Sequence, residues 1–118
     1  MKFYEYDQNN SRGNLIVDDK VCHRIYIEAD SAEEANRIAE KLGCYFNYYD
    51  NDLDCECCGY RWEMKLDDNQ YVKLDQFRDI EEYAQYWANI YGRTEPVARI
   101  YYKNGTVREI YKKRSSIN

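Results

Sequence analysis

The sequence feature that most constrains the fold is an Asn-Gly pair near the C-terminus. Asn104-Gly105 separates two segments, residues 97–103 and 106–112, in which apolar and polar side chains alternate. Asn-Gly favours a two-residue turn between antiparallel strands, because both positions of that turn need positive φ. The sequence therefore predicts a C-terminal β-hairpin. A two-residue turn sets these cross-strand pairs: Lys103 with Thr106, Tyr101 with Arg108, and Arg99 with Ile110.

This pairing divides the predicted hairpin into two faces of different character. The face expected to pack on the core is mainly apolar and consists of Ala98, Ile100, Tyr102, Val107, Glu109 and Tyr111. The opposite face is mainly cationic and consists of Arg99, Tyr101, Lys103, Thr106, Arg108 and Lys112. Guanidinium groups donate paired hydrogen bonds to phosphate oxygens, and tyrosine rings stack on bases. Arg99, Tyr101 and Arg108 are therefore candidate ligand-binding residues, and a solvated outer face is the alternative interpretation.

Two helices are indicated by capping boxes, in which a side chain caps the first turn and a Glu three residues later reaches back. Residues 31–34 open the first helix and residues 79–82 open the second. Gly43 and Gly92 mark their ends. Apolar residues recur at helical spacing in both segments: Ala35, Ile38, Ala39 and Leu42 in the first, and Ile80, Tyr83, Ala84, Trp87 and Tyr91 in the second.

Strands are predicted on both sides of the first helix. Residues 2–7 are rich in aromatic side chains, and residues 21–29 alternate between apolar and polar ones. These two strands form the predicted N-terminal β-hairpin. Residues 44–49 are predicted as a further strand, which gives a βαβ-like unit with the first helix. Residues 61–65 are a candidate short strand.

The predicted fold class is α+β: a small sheet with two helices, built from an N-terminal β-hairpin, a βαβ-like unit, a second helix and a C-terminal β-hairpin. The 118 residues predict a single domain, 1–118. Fourteen tyrosines supply much of the apolar area of its core. With no apolar run near the ~18 residues that cross a bilayer and no signal-peptide pattern, we expect a cytosolic protein without a membrane partner. The net charge of −5 argues against binding to duplex nucleic acid.

Arg24 is a cation in the middle of the predicted strand 21–29, on the face opposite its apolar residues. A half-buried arginine requires a partner of opposite charge. The residues alone favour an internal acid such as Glu28, two positions along the same face. An anion held at an interface between subunits is the alternative.

Three of the five cysteines lie within four residues of each other. Cys55 and Cys58 have the C-x-x-C spacing of zinc sites, but a closed tetrahedral site needs two more ligands. The remaining soft candidates in the sequence are Cys22, His23 and Cys44. We therefore predict no cofactor and keep zinc at Cys55 and Cys58 as an alternative. That alternative corresponds to a small zinc- or thiol-containing protein-interaction module.

The sequence does not favour an enzyme. It contains neither of the common phosphate-binding glycine motifs and no zinc-protease helix motif. Its single histidine, His23, falls on the apolar face of a predicted strand, which is typical of a core histidine rather than a base. The prediction is a binding protein.

Four segments of the N-terminal half together resemble a known family. They are the opening from Phe3 to Ser11, Val21-Cys-His-Arg24, Ile27-Glu-Ala-Asp30, and Cys55-x-Cys-Cys-Gly-x-Arg-Trp62. This set resembles the Thoeris anti-defence family of bacteriophages over roughly the first 62 residues. The sequence departs from the family pattern at Arg12, where a glycine is expected, and at Tyr60, where an acid is expected.

The resemblance implies a sponge, a protein that binds a signal and holds it intact in the host cell cytoplasm. The implied ligands are the cyclic ADP-ribose isomers of TIR-domain defence enzymes and, at separate sites in some members, cyclic oligonucleotides (trinucleotides). It also implies a homo-oligomer, specifically a symmetric hexamer. Arg24 is the implied phosphate contact near a symmetry axis, with Thr94 at the same site. Arg61 and Trp62 match the family's terminal Arg-Trp pair and are implied signal-site residues.

Overall fold

The computed structural model describes residues 2–9, 14–46 and 61–113. Within them lie β1 (Phe3–Asp7), β2 (Arg24–Glu28), α1 (Ala32–Leu42), α2 (Ile80–Tyr91), β3 (Ala98–Tyr101) and β4 (Val107–Ile110). The strands form one sheet in the order β1-β2-β3-β4. β1 and β2 are antiparallel, as are β3 and β4, whereas β2 and β3 are parallel. The fold is of the predicted α+β class, with a strand pair at each end of the chain.

Both helices begin at the predicted caps. The Ser31 hydroxyl accepts a hydrogen bond from the Glu34 N–H at 3.1 Å, and the Asp79 carboxylate accepts one from the Glu82 N–H at 2.9 Å. Each Glu side chain also reaches back and accepts from the N–H of the residue before the cap, one position earlier than in a standard capping box. Gly43 ends α1 in the left-handed conformation, with φ at 118°. The helix termini were predictable because these contacts are local in sequence.

One helix covers each face of the sheet. α1 packs against β1 and β2, and we call this side the α1 face; its buried residues include Tyr4, Ile25 and Ile27. α2 packs against β3 and β4, and we call this side the α2 face; its buried residues include Tyr26 and Ile100. Tyrosine rings fill both cores, which explains how a chain with few aliphatic residues forms them.

The predicted strand at 44–49 is wrong where the structure describes it. Residues 44–46 form no strand, and residues 47–49 lie outside the described part of the chain. The Cys44 N–H donates to the Ala39 carbonyl at 3.0 Å, so it completes the end of α1 instead of joining a sheet. The parallel partner of β2 is β3, and the crossover between them contains both helices.

The candidate strand at 61–65 is also not a strand. This segment follows the outer edge of β1, where the Asn9 N–H donates to the Arg61 carbonyl at 2.8 Å. The side-chain amide of Asn36, on α1, donates to the Lys65 carbonyl at 2.8 Å and accepts from the Lys65 N–H at 2.9 Å. The backbone hydrogen bonds of Lys65 are therefore made to a side-chain amide and not to a neighbouring strand.

The C-terminal hairpin has a three-residue loop, 103–105, instead of the predicted two-residue turn. The Tyr102 N–H donates to the Thr106 carbonyl at 2.9 Å, and the Gly105 N–H donates to the Tyr102 carbonyl at 3.0 Å. Gly105 has a φ of 94°, which a side chain would disfavour. A three-residue loop that ends in a left-handed residue is the next most common hairpin connection after the two-residue turn.

The longer loop shifts the hairpin register by one residue from the prediction. Tyr101 lies opposite Val107, and Ile100 lies opposite Arg108. A shift of one residue moves every side chain of one strand to the other face of the sheet. Arg99 and Tyr101 therefore belong to the α1 face, and Arg108 belongs to the α2 face. The predicted cluster of these three residues on one face is wrong.

Candidate ligand-binding site

Arg99 binds protein groups on the α1 face. Its side chain is 6% exposed. Its Nε donates to the Glu109 carboxylate at 3.0 Å, and its Nη1 donates to the carbonyls of Asp18 and Val21 at 2.6 and 3.2 Å. The Arg99 hydrogen bond holds the pKa of Glu109 below its usual range. Arg99 therefore acts as a clamp on the segment 18–21.

Tyr101 assists the same clamp. Its hydroxyl donates to the Lys20 carbonyl, next to the two carbonyls that Arg99 holds. Burial raises the pKa of Tyr101 to about 12, so the hydroxyl stays protonated and remains a donor at neutral pH. The polar groups of both predicted ligand-binding residues are engaged in fixing one loop.

Arg24 has internal acidic partners, as the residues alone favoured, but they come from β1. Its Nη1 lies 3.5 Å from the Glu5 carboxylate and its Nε lies 3.6 Å from the Asp7 carboxylate. Glu28 instead accepts from the Lys103 N–H at 2.9 Å. The Nε of Arg24 is buried and has no hydrogen-bond partner among the described residues. Arg24 is thus loosely paired, with hydrogen-bonding capacity left over.

Arg61 and Trp62 occupy different environments although they are adjacent. The Nε of Arg61 donates to the Tyr45 hydroxyl at 2.9 Å and its Nη1 donates to the Asn14 carbonyl at 3.1 Å. Trp62 is fully buried in the core of the α1 face. Trp62 therefore lies in the core, and a stacking role on the surface does not fit its position in this chain.

Thr94 connects the starts of two strands. Its hydroxyl donates to the Pro96 carbonyl at 2.6 Å and accepts from the His23 N–H at 3.1 Å. His23 is buried, and its Nδ1 accepts from the Arg93 N–H at 3.3 Å. Its Nε2 faces the Asp7 carboxylate at 3.3 Å. These contacts fix the backbone just before β2 and β3.

The cysteines that the structure describes are buried thiols. Burial raises the pKa of Cys22 to about 11 and that of Cys44 to about 12, so both are protonated at neutral pH. Across residues 2–9, 14–46 and 61–113, no group of three potential metal ligands comes together. Cys55 and Cys58, the alternative zinc ligands, lie outside the described residues.

Arg108 lies at a groove that runs between α2 and β4. The groove has a volume of about 650 Å³. Arg108 contributes one cation and contacts Glu81 at 3.2 Å, and Arg78 contacts Glu82 at 3.0 Å. Both arginine side chains are more than half exposed. We call this the α2–β4 groove; its lining also includes Gln85, Tyr86, Asn89, Tyr111 and Lys113.

Two tyrosines and two amides line the same groove. Tyr86 is 47% exposed and presents ring surface to the groove, whereas the Tyr111 hydroxyl donates to Glu109, the partner of Arg99 on the α1 face. The Gln85 amide bonds both the Asn89 side chain and the Tyr111 carbonyl, and thereby joins α2 to the end of β4. Of this set, only Arg108 was predicted from the sequence as a ligand-binding residue. The others were missed, although the i, i+4 spacing of Gln85 and Asn89 put them on one helix face.

A second groove, of about 470 Å³, lies beside the outer edge of β1. Its cations already face protein groups. The Lys73 ammonium lies 3.3 Å from the centre of the Tyr71 ring and donates to the Asn69 carbonyl at 2.6 Å. Burial lowers the pKa of Lys65, whose ammonium lies 5.1 Å from the centre of the Tyr6 ring. Among the described residues, exposed ion pairs alone hold the arginines of the α2–β4 groove, which makes this groove the better candidate.

These features define a small α+β protein with a polar groove between a helix and the last strand of a mixed sheet. The chain belongs to the family described as "Domain of unknown function (DUF7296)", whose model matches residues 1–118. No curated protein and no solved structure matches it. In the described part of the chain, neither helix is long and apolar enough to cross a membrane.

Proposed function

We propose that this protein is a phage anti-defence sponge in the host cell cytoplasm. It binds a cyclic nucleotide-type immune signal, a glyco-cyclic ADP-ribose isomer, in the α2–β4 groove and holds it without cleavage. The observation that carries this proposal is the groove itself. Its volume of about 650 Å³ falls within the range of small-molecule sites, and cations and tyrosines line it together.

The cations of the groove are suited to exchange a protein partner for a phosphate. Arg108 and Glu81 form an exposed ion pair, as do Arg78 and Glu82. Exposed pairs contribute about 0–1 kcal/mol, so little is lost when an arginine leaves its carboxylate. A phosphate accepts two parallel hydrogen bonds from one guanidinium group, which is a stronger contact. Arg108 is the proposed phosphate ligand.

Tyr86 supplies a flat surface for a base. Stacking of a base on an aromatic side chain contributes about 1–3 kcal/mol and requires no particular base. Tyr111 contributes its backbone carbonyl, which accepts from Gln85 at 2.7 Å, because its hydroxyl is bound to Glu109. Tyr86 projects from α2 into the same groove. Together these residues suit a ligand that has both a phosphate group and a base.

The composition of the groove supports binding without turnover. Its described lining contains no histidine or cysteine. When the arginines bind phosphate, Glu81 still accepts from the Tyr102 hydroxyl at 2.7 Å, and Glu82 still accepts from the Arg78 N–H at 3.2 Å. His23 lies elsewhere, bonded to Asp7 and to the backbone. The groove thus offers contacts for phosphate and base, and its carboxylates are engaged rather than free to act as bases.

The proposal includes a homo-oligomer, a hexamer, with a separate site for cyclic trinucleotides at Arg24. The unused hydrogen-bonding capacity of the Arg24 Nε supports this part. Copies of one arginine that meet at a symmetry axis could bind several phosphates at once. Thr94 lies nearby in the fold, since its hydroxyl accepts from the N–H of His23, the residue before Arg24.

The test is calorimetric titration of the protein with glyco-cyclic ADP-ribose isomers, followed by heat denaturation and analysis of the released compound. We expect saturable binding and recovery of the ligand unchanged. Arg108→Ala should weaken binding about 10- to 100-fold, because a hydrogen bond to a charged group is lost. Arg37→Ala, on the exposed side of α1, removes the same charge far from the groove and should bind like the wild type.

Two results would contradict the sponge. Recovery of a hydrolysed product would indicate an enzyme. Failure to bind any isomer, combined with about one zinc per chain that Cys55→Ser and Cys58→Ser abolish, would favour the zinc-containing interaction module.

A further inference from the structure

We infer that Gln85 and Asn89 form the base-specific part of the α2–β4 groove and that they recognise the amine edge of adenine. This inference rests on the proposed function, because it concerns the base of the ligand whose phosphate Arg108 binds. It is carried by the fixed orientation of the two amides, which leaves one acceptor and one donor unused side by side.

The backbone at the end of β4 fixes the orientation of Gln85. Its amide nitrogen lies 2.7 Å from the Tyr111 carbonyl, and a carbonyl oxygen can accept but not donate a hydrogen bond. The same nitrogen donates to the Asn89 side-chain oxygen at 2.9 Å. Both N–H groups of Gln85 are therefore used. Its Oε1 receives no hydrogen bond from the described residues and remains an acceptor.

The backbone fixes Asn89 in the same way. Its Oδ1 accepts from the Lys113 N–H at 2.8 Å as well as from Gln85. A backbone N–H can only donate, so the oxygen of Asn89 must face Lys113. The amide nitrogen of Asn89, with its two N–H groups, donates to none of the described residues and is then left for a ligand. The two amides are joined by a hydrogen bond of 2.9 Å, so the unused acceptor and the unused donor belong to adjoining amide groups of the groove lining.

An acceptor beside a donor is the complement of adenine. The adenine N6 amine donates, and the adjacent ring nitrogen, N7 or N1, accepts. Gln85 Oε1 would accept from N6, and Asn89 Nδ2 would donate to the ring nitrogen. Hypoxanthine keeps N7 as an acceptor but has a carbonyl oxygen in place of the amine. That oxygen would meet Gln85 Oε1, which is also an acceptor, and one hydrogen bond would be replaced by repulsion.

The experiment compares two probes on the full chain: a glyco-cyclic ADP-ribose isomer and the same compound with hypoxanthine in place of adenine. We expect the wild type to bind the adenine compound about 10- to 100-fold more tightly, as for one good base contact. Gln85→Leu, which removes the acceptor, should lose this preference. Gln76→Leu makes the same change beside the second groove and should keep it.

The outcomes separate this inference from the proposed function. Equal affinity of the wild type for the two probes would overturn the adenine assignment while the sponge, with its dependence on Arg108, would stand. A preference that survives in Gln85→Leu would also overturn the role of Gln85. Binding of neither probe would overturn the proposed function, and the base assignment with it. The comparison of probes on the wild type does not depend on whether any variant folds.

Discussion

Arg99 and Arg108 belong to the same hairpin but occupy opposite faces of the sheet. Arg99, on the α1 face, is 6% exposed and bonds a carboxylate and two carbonyls. Arg108, on the α2 face, is 58% exposed and has one ion pair, with Glu81. The difference shows that the register of this hairpin decides which of its two arginines is buried in protein contacts and which remains exposed. The predictions below test this division.

The largest effect is expected for Arg99→Ala. It removes three hydrogen bonds and leaves the Asp18 carbonyl without the Arg99 donor, while the Val21 carbonyl keeps its hydrogen bond from the Asp18 N–H. Removal of one partner from a buried charged network typically costs 3–5 kcal/mol. Because Glu109 is partly solvated, we expect the free energy of unfolding to fall by about 3 kcal/mol, measured by urea denaturation.

Arg108→Ala is the matched control for the other face. Since it removes an exposed ion pair, we expect a change in stability of at most about 1 kcal/mol. If Arg108→Ala destabilised the fold as much as Arg99→Ala, the division between a structural and an available arginine would be wrong.

Arg24→Ala is expected to have an intermediate effect on stability. Its pairs with Glu5 and Asp7 are half-buried but long, at 3.5 and 3.6 Å, so we expect a loss of about 1–2 kcal/mol. If the proposed second site exists, the variant should also weaken capture of cyclic trinucleotides at a protein concentration where it remains folded. Circular dichroism checks the fold, and equilibrium dialysis measures capture.

Unchanged trinucleotide affinity in Arg24→Ala would remove Arg24 from the proposed binding residues and leave it a structural cation. Arg37→Ala again controls for the loss of one positive charge, because it is exposed on α1.

The helices and the strand pairs were predictable because their signals are local. The capping residues Ser31 and Asp79 act within four residues of themselves, and the structure confirms both helix starts. The hairpin was also predictable, but its register was not read correctly from Asn104-Gly105 alone. A clue was present in the sequence: the predicted core face contained Glu109, and the observed register places Glu109 opposite Arg99 as a cross-strand ion pair.

The candidate site was predictable only in part, because it joins elements that are distant in sequence. Arg108 was identified as a phosphate ligand from its residue type, and it does line the α2–β4 groove. Gln85 and Asn89 were not predicted as binding residues. Their place in the site depends on hydrogen bonds with the backbone at residues 111–113, more than 20 positions away. Such a contact follows from the packing of α2 on β4, which no local pattern encodes.

The smallest expected effect is the acid sensitivity of the α1-face clamp. The hydrogen bond from Arg99 lowers the pKa of Glu109, and backbone N–H groups of Val21 and Lys20 lower the pKa of Asp18. A carboxyl group whose pKa is lower in the folded state stabilises the fold above its unfolded pKa, which is about 4. That contribution is lost as the pH falls through the folded pKa. We therefore expect the urea midpoint of the wild type to fall between about pH 5 and pH 3.

The double variant Asp18→Asn, Glu109→Gln should show a flatter dependence over the same range, because neither position can then bind a proton. Asparagine at position 18 keeps an oxygen that can accept from the N–H groups of Lys20 and Val21, so the loop geometry can be retained. Each single variant should lie between the wild type and the double variant. A double variant with the same pH slope as the wild type would mean that the acid sensitivity arises elsewhere, and that the clamp of Arg99 on the segment 18–21 does not depend on the charge of these two carboxylates.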